Sequence, residues 1–358
     1  MEPTSRFLLT LTRFLLTFFV GSSWRSGAGE SAVSGPRTSH FTELGRKYGP
    51  TVKLQLGGKI GRVAAYGGFD ITWTPYGPEW RMLRKVCTIM MLSNASLDSV
   101  YELRRREVRN TVGVPTGGGG GQRGRARFFD GFQRDYEHLE KMIDERLRMM
   151  DEEESRNKND FLQFLLKVKD ESDSKTPLTM VQLKALLTDM IIGGTDTSSN
   201  TIEFAMAEMM KNPKVAKKAM EELVAVVGEQ NMVEESHIQS LPYLKAVMKE
   251  TLRLHPILQL LVPHCPSQTT VISNYTIPKG SRVFVNVWAI HRDPNYWENP
   301  LEFDGKFDFS GSDFRYIPFV SGRRNCAGIA MAERTVMYLP STLLHSFDWK
   351  LKRNLGLF

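Results

Sequence analysis

PFVSGRRNCAG, Pro318 to Gly328, is the stretch on which the fold of this chain turns. Phe319, Gly322, Arg324, Cys326 and Gly328 fall in the pattern F-x-x-G-x-R-x-C-x-G. Average residue frequencies would produce it on the order of once in ten thousand chains of this length, so the five positions are read together as one signal. The residues after Cys326 predict a helix running toward His345. Pro340 lies inside that helix and costs it about 3 kcal/mol if the position is interior. Cys326 thus stands just ahead of a helix N-terminus, a setting that favours a thiolate, with Arg324 beside it. Taken alone, Cys326 reads as a buried free cysteine on a Gly-rich turn; the full pattern argues against that.

Three further stretches carry residue types suited to chemistry. GGTDTS, Gly193 to Ser198, interrupts a long helical pattern that opens on a T-x-x-Q capping box, Thr179 and Gln182, and runs through Met210 to a stop at Pro213. Two glycines weaken a helical ladder and admit water, and Asp196 with Thr197 offers an acid and an alcohol for proton transfer. The plainer alternative is a kinked helix whose hydroxyls bond back to i−4 carbonyls. KETLRLHP, Lys249 to Pro256, places Glu250 and Arg253 on one helical face, where they can pair; isolated, a surface ion pair is the better account. YGPEWRMLRKVC puts Trp80 and Arg84 one turn apart, and Arg81, Arg84 and Lys85 make a basic surface that is otherwise a solvated face.

The 358 residues are 41% hydrophobic and 24% charged, enough for one large core or two modest ones. Cys87, Cys265 and Cys326 are an odd number without C-x-x-C spacing, so neither a disulfide framework nor a zinc site is favoured and a reducing environment fits best. A net charge of +7 permits nucleic acid, an anionic membrane or an acidic partner and selects none of them. Phe7 to Val20 (FLLTLTRFLLTFFV) is apolar apart from three threonines and Arg13. As a helix it reaches about 21 Å against roughly 30 Å of hydrocarbon, so a short or shallow anchor is expected, with a cleaved signal peptide or a disordered tail as alternatives.

Residues 1–20 are accordingly read as anchor, 21–40 as a Ser- and Gly-rich linker, and 41–358 as one folded domain with a flexible Gly-rich insert at 115–127. Pro50 to Ala65 alternates around Gly57-Gly58 as a hairpin. Helices are expected over Glu79 to Met91, Asn94 to Val108, Phe128 to Met150 and Asp160 to Lys169, with a solvated loop from Asp151 to Asn159. Two more run from Pro213 to Val227, ended by Gly228, and from Leu241 to Leu254, capped by Ser240 and stopped by Pro256. Val271 to Val287 alternates around a turn at Pro278-Lys279-Gly280. The class is mainly α with small β-sheets.

W-x-x-x-R, GGTDTS, E-x-x-R and the cysteine loop, in this order along the chain, resemble the cytochrome P-450 superfamily of haem-thiolate monooxygenases. WAIHRDP (Trp288 to Pro294) and GRKYGP (Gly45 to Pro50) look like its plant microsomal members. The resemblance covers Phe41 to Lys350. It implies the cytochrome P-450 fold, haem b (iron protoporphyrin IX) held by the thiolate of Cys326, and glycines, Gly328 among them, that let backbone approach the porphyrin. Trp80, Arg84 and Arg324, with His264 as a further candidate, would meet the haem propionates, and Phe319 belongs to the haem-binding loop. Asp196 and Thr197 would relay protons to bound dioxygen from a bulged helix, and Glu250 with Arg253 would support the loop. Implied partners are an NADPH-dependent flavoprotein reductase, a small lipophilic substrate to be hydroxylated, and the cytosolic face of the endoplasmic reticulum membrane; no nucleic-acid partner is implied.

The chain departs from the family's pattern in ways that read as an incomplete fold. It has no Pro-rich hinge after the anchor, little room between Val63 and Gly68 for substrate-site helices, and one helix with a Gly run between Asp98 and Phe128 where a substrate-channel roof is expected. After Phe303 it passes to DGKFDF without the arginine that completes a triad with Glu250 and Arg253, and it stops at Phe358 ahead of a terminal hairpin. A loosely held cysteine loop is expected from the missing arginine. The alternative to a monooxygenase is therefore a non-catalytic, degenerate haem-thiolate protein. A haem-thiolate isomerase or dehydratase has little use for Asp196 and Thr197.

Overall fold

The computed structural model describes residues 68–113, 141, 143–145, 148, 161–170, 176–303 and 313–349. The expected anchor, the linker, the hairpin at 50–65, the Gly-rich insert, most of the helix at 128–150, the charged loop and DGKFDF lie outside the described residues. The chain divides into two compact units at Ser199 and Asn200.

In the first unit, Pro78 opens α1 (Pro78–Lys85), as its fixed φ suits a first helical turn, and Trp80 and Leu83 form the buried face. The helix then widens into a π turn, Val86–Met91, in which the Leu92 amide reaches back five residues to the Cys87 carbonyl at 3.1 Å. Sequence periodicity joined the next segment into one helix. It is two: α2 (Asn94–Ser99), capped by the Ser93 hydroxyl, and α3 (Tyr101–Val112), because Val100 leaves helical geometry between them. Arg104, in a run that reads as surface charge, is buried and donates to the Leu97 carbonyl at 2.7 Å. α4 is Phe161–Asp170.

The long helix α5 (Met180–Lys211) begins on the expected reciprocal cap: the Thr179 amide donates to Gln182 Oε1 at 3.0 Å, and the Gln182 amide to Thr179 Oγ1 at 3.2 Å. It runs unbroken through Gly193-Gly194, so the interruption expected there is absent. Thr197 and Ser199 instead donate to the carbonyls of Gly193 and Thr195, at 2.6 and 2.9 Å, on an intact ladder.

The core of the second unit is formed by α6 (Pro213–Val227), α7 (Pro242–Leu254) and α9 (Ile329–Ser346), packed on one another through Ala219, Leu223, Leu244, Val247, Leu339 and Leu343. Gly228, at φ 84°, ends α6. Ser240 does not cap α7, contrary to expectation; it closes a 3₁₀ turn, Glu235–Ser240, and Pro242 occupies the first helical position. The orphan amides of Tyr243 and Leu244 go to the carboxylate of Glu222 on α6, at 2.8 and 2.9 Å. Pro340 lies within α9 and is buried. The hydroxyls of Ser341 and Thr342 donate to the Met337 and Tyr338 carbonyls, the two that follow the Val336 carbonyl left without its helical donor by Pro340, at 2.5 and 2.8 Å.

A two-stranded antiparallel sheet pairs β1 (Thr270–Ile272) with β2 (Tyr275–Ile277), Val271 opposite Thr276. The hairpin turns at Ser273-Asn274, both at positive φ (47° and 67°), rather than at Pro278-Lys279-Gly280. Two left-handed central residues match the twist of a two-residue hairpin. Pro278 to Ser281 forms a separate turn, closed at 3.2 Å, leading to a lone backbone bridge between His264 and Val283. A short α8 (Val287–Ile290), capped by Asn286, precedes the segment that leads to the cysteine loop. The molecule is mainly α with a small sheet, as expected.

Candidate functional site

The cysteine loop is closed by its own backbone. Val320 and Gly322 take left-handed φ values of 64° and 72°, and Gly322–Arg324 forms a single 3₁₀ turn. The Cys326 amide then donates back to the Phe319 carbonyl at 2.9 Å. Gly328 caps α9, and its amide points at the Cys326 sulfur at 3.3 Å, as an amide does toward a thiolate acceptor. Cys326 is exposed, not a buried core cysteine; Cys87 is the buried one.

Several residues of this unit suit a thiolate-held porphyrin. A side chain at Gly328 would stand 3.8 Å from the Cys326 sulfur, so glycine there keeps that side of the sulfur clear, while one at Gly322, at φ 72°, would be strained although it would meet nothing within 4 Å. His264 Nδ1 is buried and has no hydrogen-bond partner among the described residues. An exposed sulfur with an amide donor, open backbone beside it and an unsatisfied imidazole nitrogen fit such a group. Arg324 is half-buried on the loop.

The Glu250–Arg253 pair is no surface ion pair. Both residues are buried, and the two charges meet in a fork, Arg253 Nε to Glu250 Oε2 at 2.8 Å and Nη2 to Oε1 at 2.6 Å. Arg253 also donates to three carbonyls, those of His291 at 2.9 Å, Pro300 at 2.8 Å and Glu302 at 3.0 Å, and lies 5.0 Å from the Trp297 ring centroid. All five guanidinium donors are thereby used.

His291, absent from the residues singled out in the sequence, is fully buried in this arrangement. Its Nε2 accepts from the Ile317 amide at 3.0 Å, and its ring stacks on Tyr316, whose hydroxyl donates to the Lys249 carbonyl at 3.0 Å. Burial drives its pKa down to about 4. The signal available was a histidine inside an otherwise apolar run, which periodicity passes over as a helix end.

In the first unit, Trp80 and Arg84 share α1 as expected. The indole N–H of Trp80 donates to the Ile71 carbonyl at 3.0 Å. Arg84 is half-buried, while Arg81 and Lys85 are exposed. Burial pushes the Asp196 carboxyl up, so it holds a proton more readily than a surface aspartate. Thr197 spends its proton on Gly193, which leaves the hydroxyl oxygen as an acceptor. Two carboxyls went unnoticed in the sequence: the buried Asp70, which accepts from the Trp73 amide at 2.6 Å, and the half-buried Asp189, which accepts from the Ile71 amide at 3.0 Å. Burial, and then the charge of Asp70, push Asp189 up to about 8.

The family model for cytochrome P450 matches residues 126–355. A flavonoid 3',5'-hydroxylase of Solanum melongena is 35% identical over 80% of this chain and 70% of its own length. A flavonoid 3'-monooxygenase of Petunia hybrida is 34% identical over 80% and 71%, and tabersonine 16-hydroxylase 1 of Catharanthus roseus 30% over 89% and 83%. Among solved structures, a zebrafish cytochrome P450 with progesterone superposes with a TM-score of 0.69 at 22% identity, over 87% of this chain and 92% of that one, a likeness of fold.

Proposed function

The chain belongs to the cytochrome P450 family, with a thiolate-ligated haem as its cofactor, and we propose that it hydroxylates a small lipophilic molecule with electrons from an NADPH-dependent flavoprotein reductase. The observation that carries this reading is the cysteine loop: an exposed sulfur, the Gly328 amide aimed at it and no side chain at Gly328 to crowd it.

Cys326 is the proposed iron ligand. Arg324 supplies a cation for a propionate, and His264 offers the unsatisfied Nδ1. Bound haem supplies the dioxygen chemistry, made more reactive by thiolate donation. Asp196, its carboxyl raised by burial, holds and releases a proton, and the Thr197 oxygen accepts from water or from the acid. The exposed Arg81 and Lys85 suit an acidic reductase surface. A flavonoid 3',5'-hydroxylase and a tabersonine 16-hydroxylase among the relatives support a small-molecule substrate. The cytosolic face of the endoplasmic reticulum membrane is the proposed location.

The test is the reduced carbon monoxide spectrum. Wild type is expected to show the red-shifted Soret band of a thiolate complex, lost in Cys326→Ala and kept in Cys87→Ala and Cys265→Ala. A histidine-type spectrum that survives Cys326→Ala overturns the ligand assignment. Absence of stoichiometric haem from wild type favours the non-catalytic alternative.

A further inference from the structure

The resemblance ties the Glu250–Arg253 pair to the cysteine loop through a third arginine that DGKFDF, directly after Phe303, does not offer. A different connection stands in the second unit. His291 touches both partners of that link: its main-chain carbonyl takes a hydrogen bond from Arg253 Nη1 at 2.9 Å, and its ring nitrogen Nε2 takes one from the Ile317 amide at 3.0 Å. Ile317 precedes Pro318 and Phe319, and the Phe319 carbonyl receives the Cys326 amide at 2.9 Å. The path from the buried ion pair to the sulfur-bearing loop is therefore unbroken, carbonyl to ring to amide to loop closure.

The ring is fixed on its other sides. It stacks on Tyr316 with centroids 5.3 Å apart and planes at 24°, and the Tyr316 hydroxyl is held by the Lys249 carbonyl on α7. Because Nε2 accepts, the proton of the neutral ring sits on Nδ1, which is buried without a hydrogen-bond partner among the described residues. An unsatisfied buried N–H costs stability. The arrangement retains it while Nε2 meets the one amide that leads into the loop.

We propose that His291 is a positioning residue for the cysteine loop, its Nε2 holding the Ile317 amide so that the ion pair on α7 sets where the loop begins. The role rests on the functional reading only in what the loop is for; the hydrogen bond exists without cofactor. A neutral acceptor of imidazole size is required at this position, and a phenyl ring fills the space without meeting the requirement.

The test uses the full chain and needs no haem in its first two arms. Nitrogen shifts of His291 in wild type should show an unprotonated Nε2 and a protonated Nδ1; the opposite tautomer overturns the proposal outright. Amide exchange at Ile317 should be slow in wild type and about tenfold faster or more in His291→Phe, with slow exchange restored in His291→Gln, whose side-chain oxygen reaches the Nε2 position. The Ala332 amide of α9 reports whether the unit is folded. Ile317 exchange unchanged in His291→Phe, or as fast in His291→Gln as in His291→Phe, overturns the proposal. If His291→Phe loses Ala332 protection as well, the tautomer and His291→Gln decide. A third arm, in haem-loaded protein, follows decay of the thiolate band, expected faster in His291→Phe than in wild type or His291→Gln. A wild type with no thiolate band overturns the functional reading and leaves the first two arms standing.

Discussion

Asp70 and Asp189 set two carboxyls within reach of each other's charge in the first unit, each holding a backbone amide of the segment that leads into α1. Asp189 rises from its ordinary 3.8 to about 8, through burial first and the charge of Asp70 second. The fold thus keeps a proton that the unfolded chain has released over most of that range. Its contribution to stability is fully present below about 3.8 and is lost as pH rises through about 8, with a slope of up to about 1.4 kcal/mol per pH unit. Asp189→Asn keeps an oxygen for the Ile71 amide and offers Asp70 a donor without a proton to lose. Melting temperatures between pH 6 and 9 should fall for wild type and stay flatter, and higher at pH 9, for the variant; parallel curves would show that the pair carries no shared proton. At this scale the sequence was legible where partners are close along the chain. Glu250 and Arg253 sit three apart, and the cysteine loop is one short run. Nothing in the sequence joins Ile71 to Asp189 across 118 residues, or His291 to Ile317 across 26.

Most of the described helices could be drawn from periodicity with their Pro and Gly stops, since Pro213, Gly228, Pro256 and the Thr179–Gln182 cap act on the residues beside them. What failed was tertiary. Ser240 has the right chemistry for a cap, but the amides it would serve are taken by Glu222, 21 and 22 residues away. Similarly, Pro278 to Gly280 has the composition of a hairpin turn, while the pairing of β1 and β2 places the bend at two residues that carry positive φ. The cap gives a direct contrast. Glu222→Ala removes an acceptor for two helix-end amides and should cost about 1–2 kcal/mol in denaturant unfolding. Ser240→Ala should stay within about 0.5 kcal/mol. Equal losses would return the cap to Ser240.

Across the whole chain, the net charge of +7 and the apolar run Phe7 to Val20 bear on where the protein resides. Among the described residues no helix is long and apolar enough to cross a membrane, and Phe7 to Val20 lies outside them. Deleting Met1 to Gly35 should move the protein from the membrane pellet to the supernatant; pelleting that persists equally at low and high salt would place the attachment elsewhere. The full complement of bonds on Arg253 has a consequence in time. Its carbonyl acceptors come from positions 38, 47 and 49 residues further along the chain. Dehydrating the Glu250–Arg253 pair before those carbonyls arrive would strand charged N–H groups. The pair on α7 is therefore expected to stay hydrated during synthesis until residue 302 has folded back, so that protection of the Arg253 side-chain N–H groups from exchange should arise late in refolding.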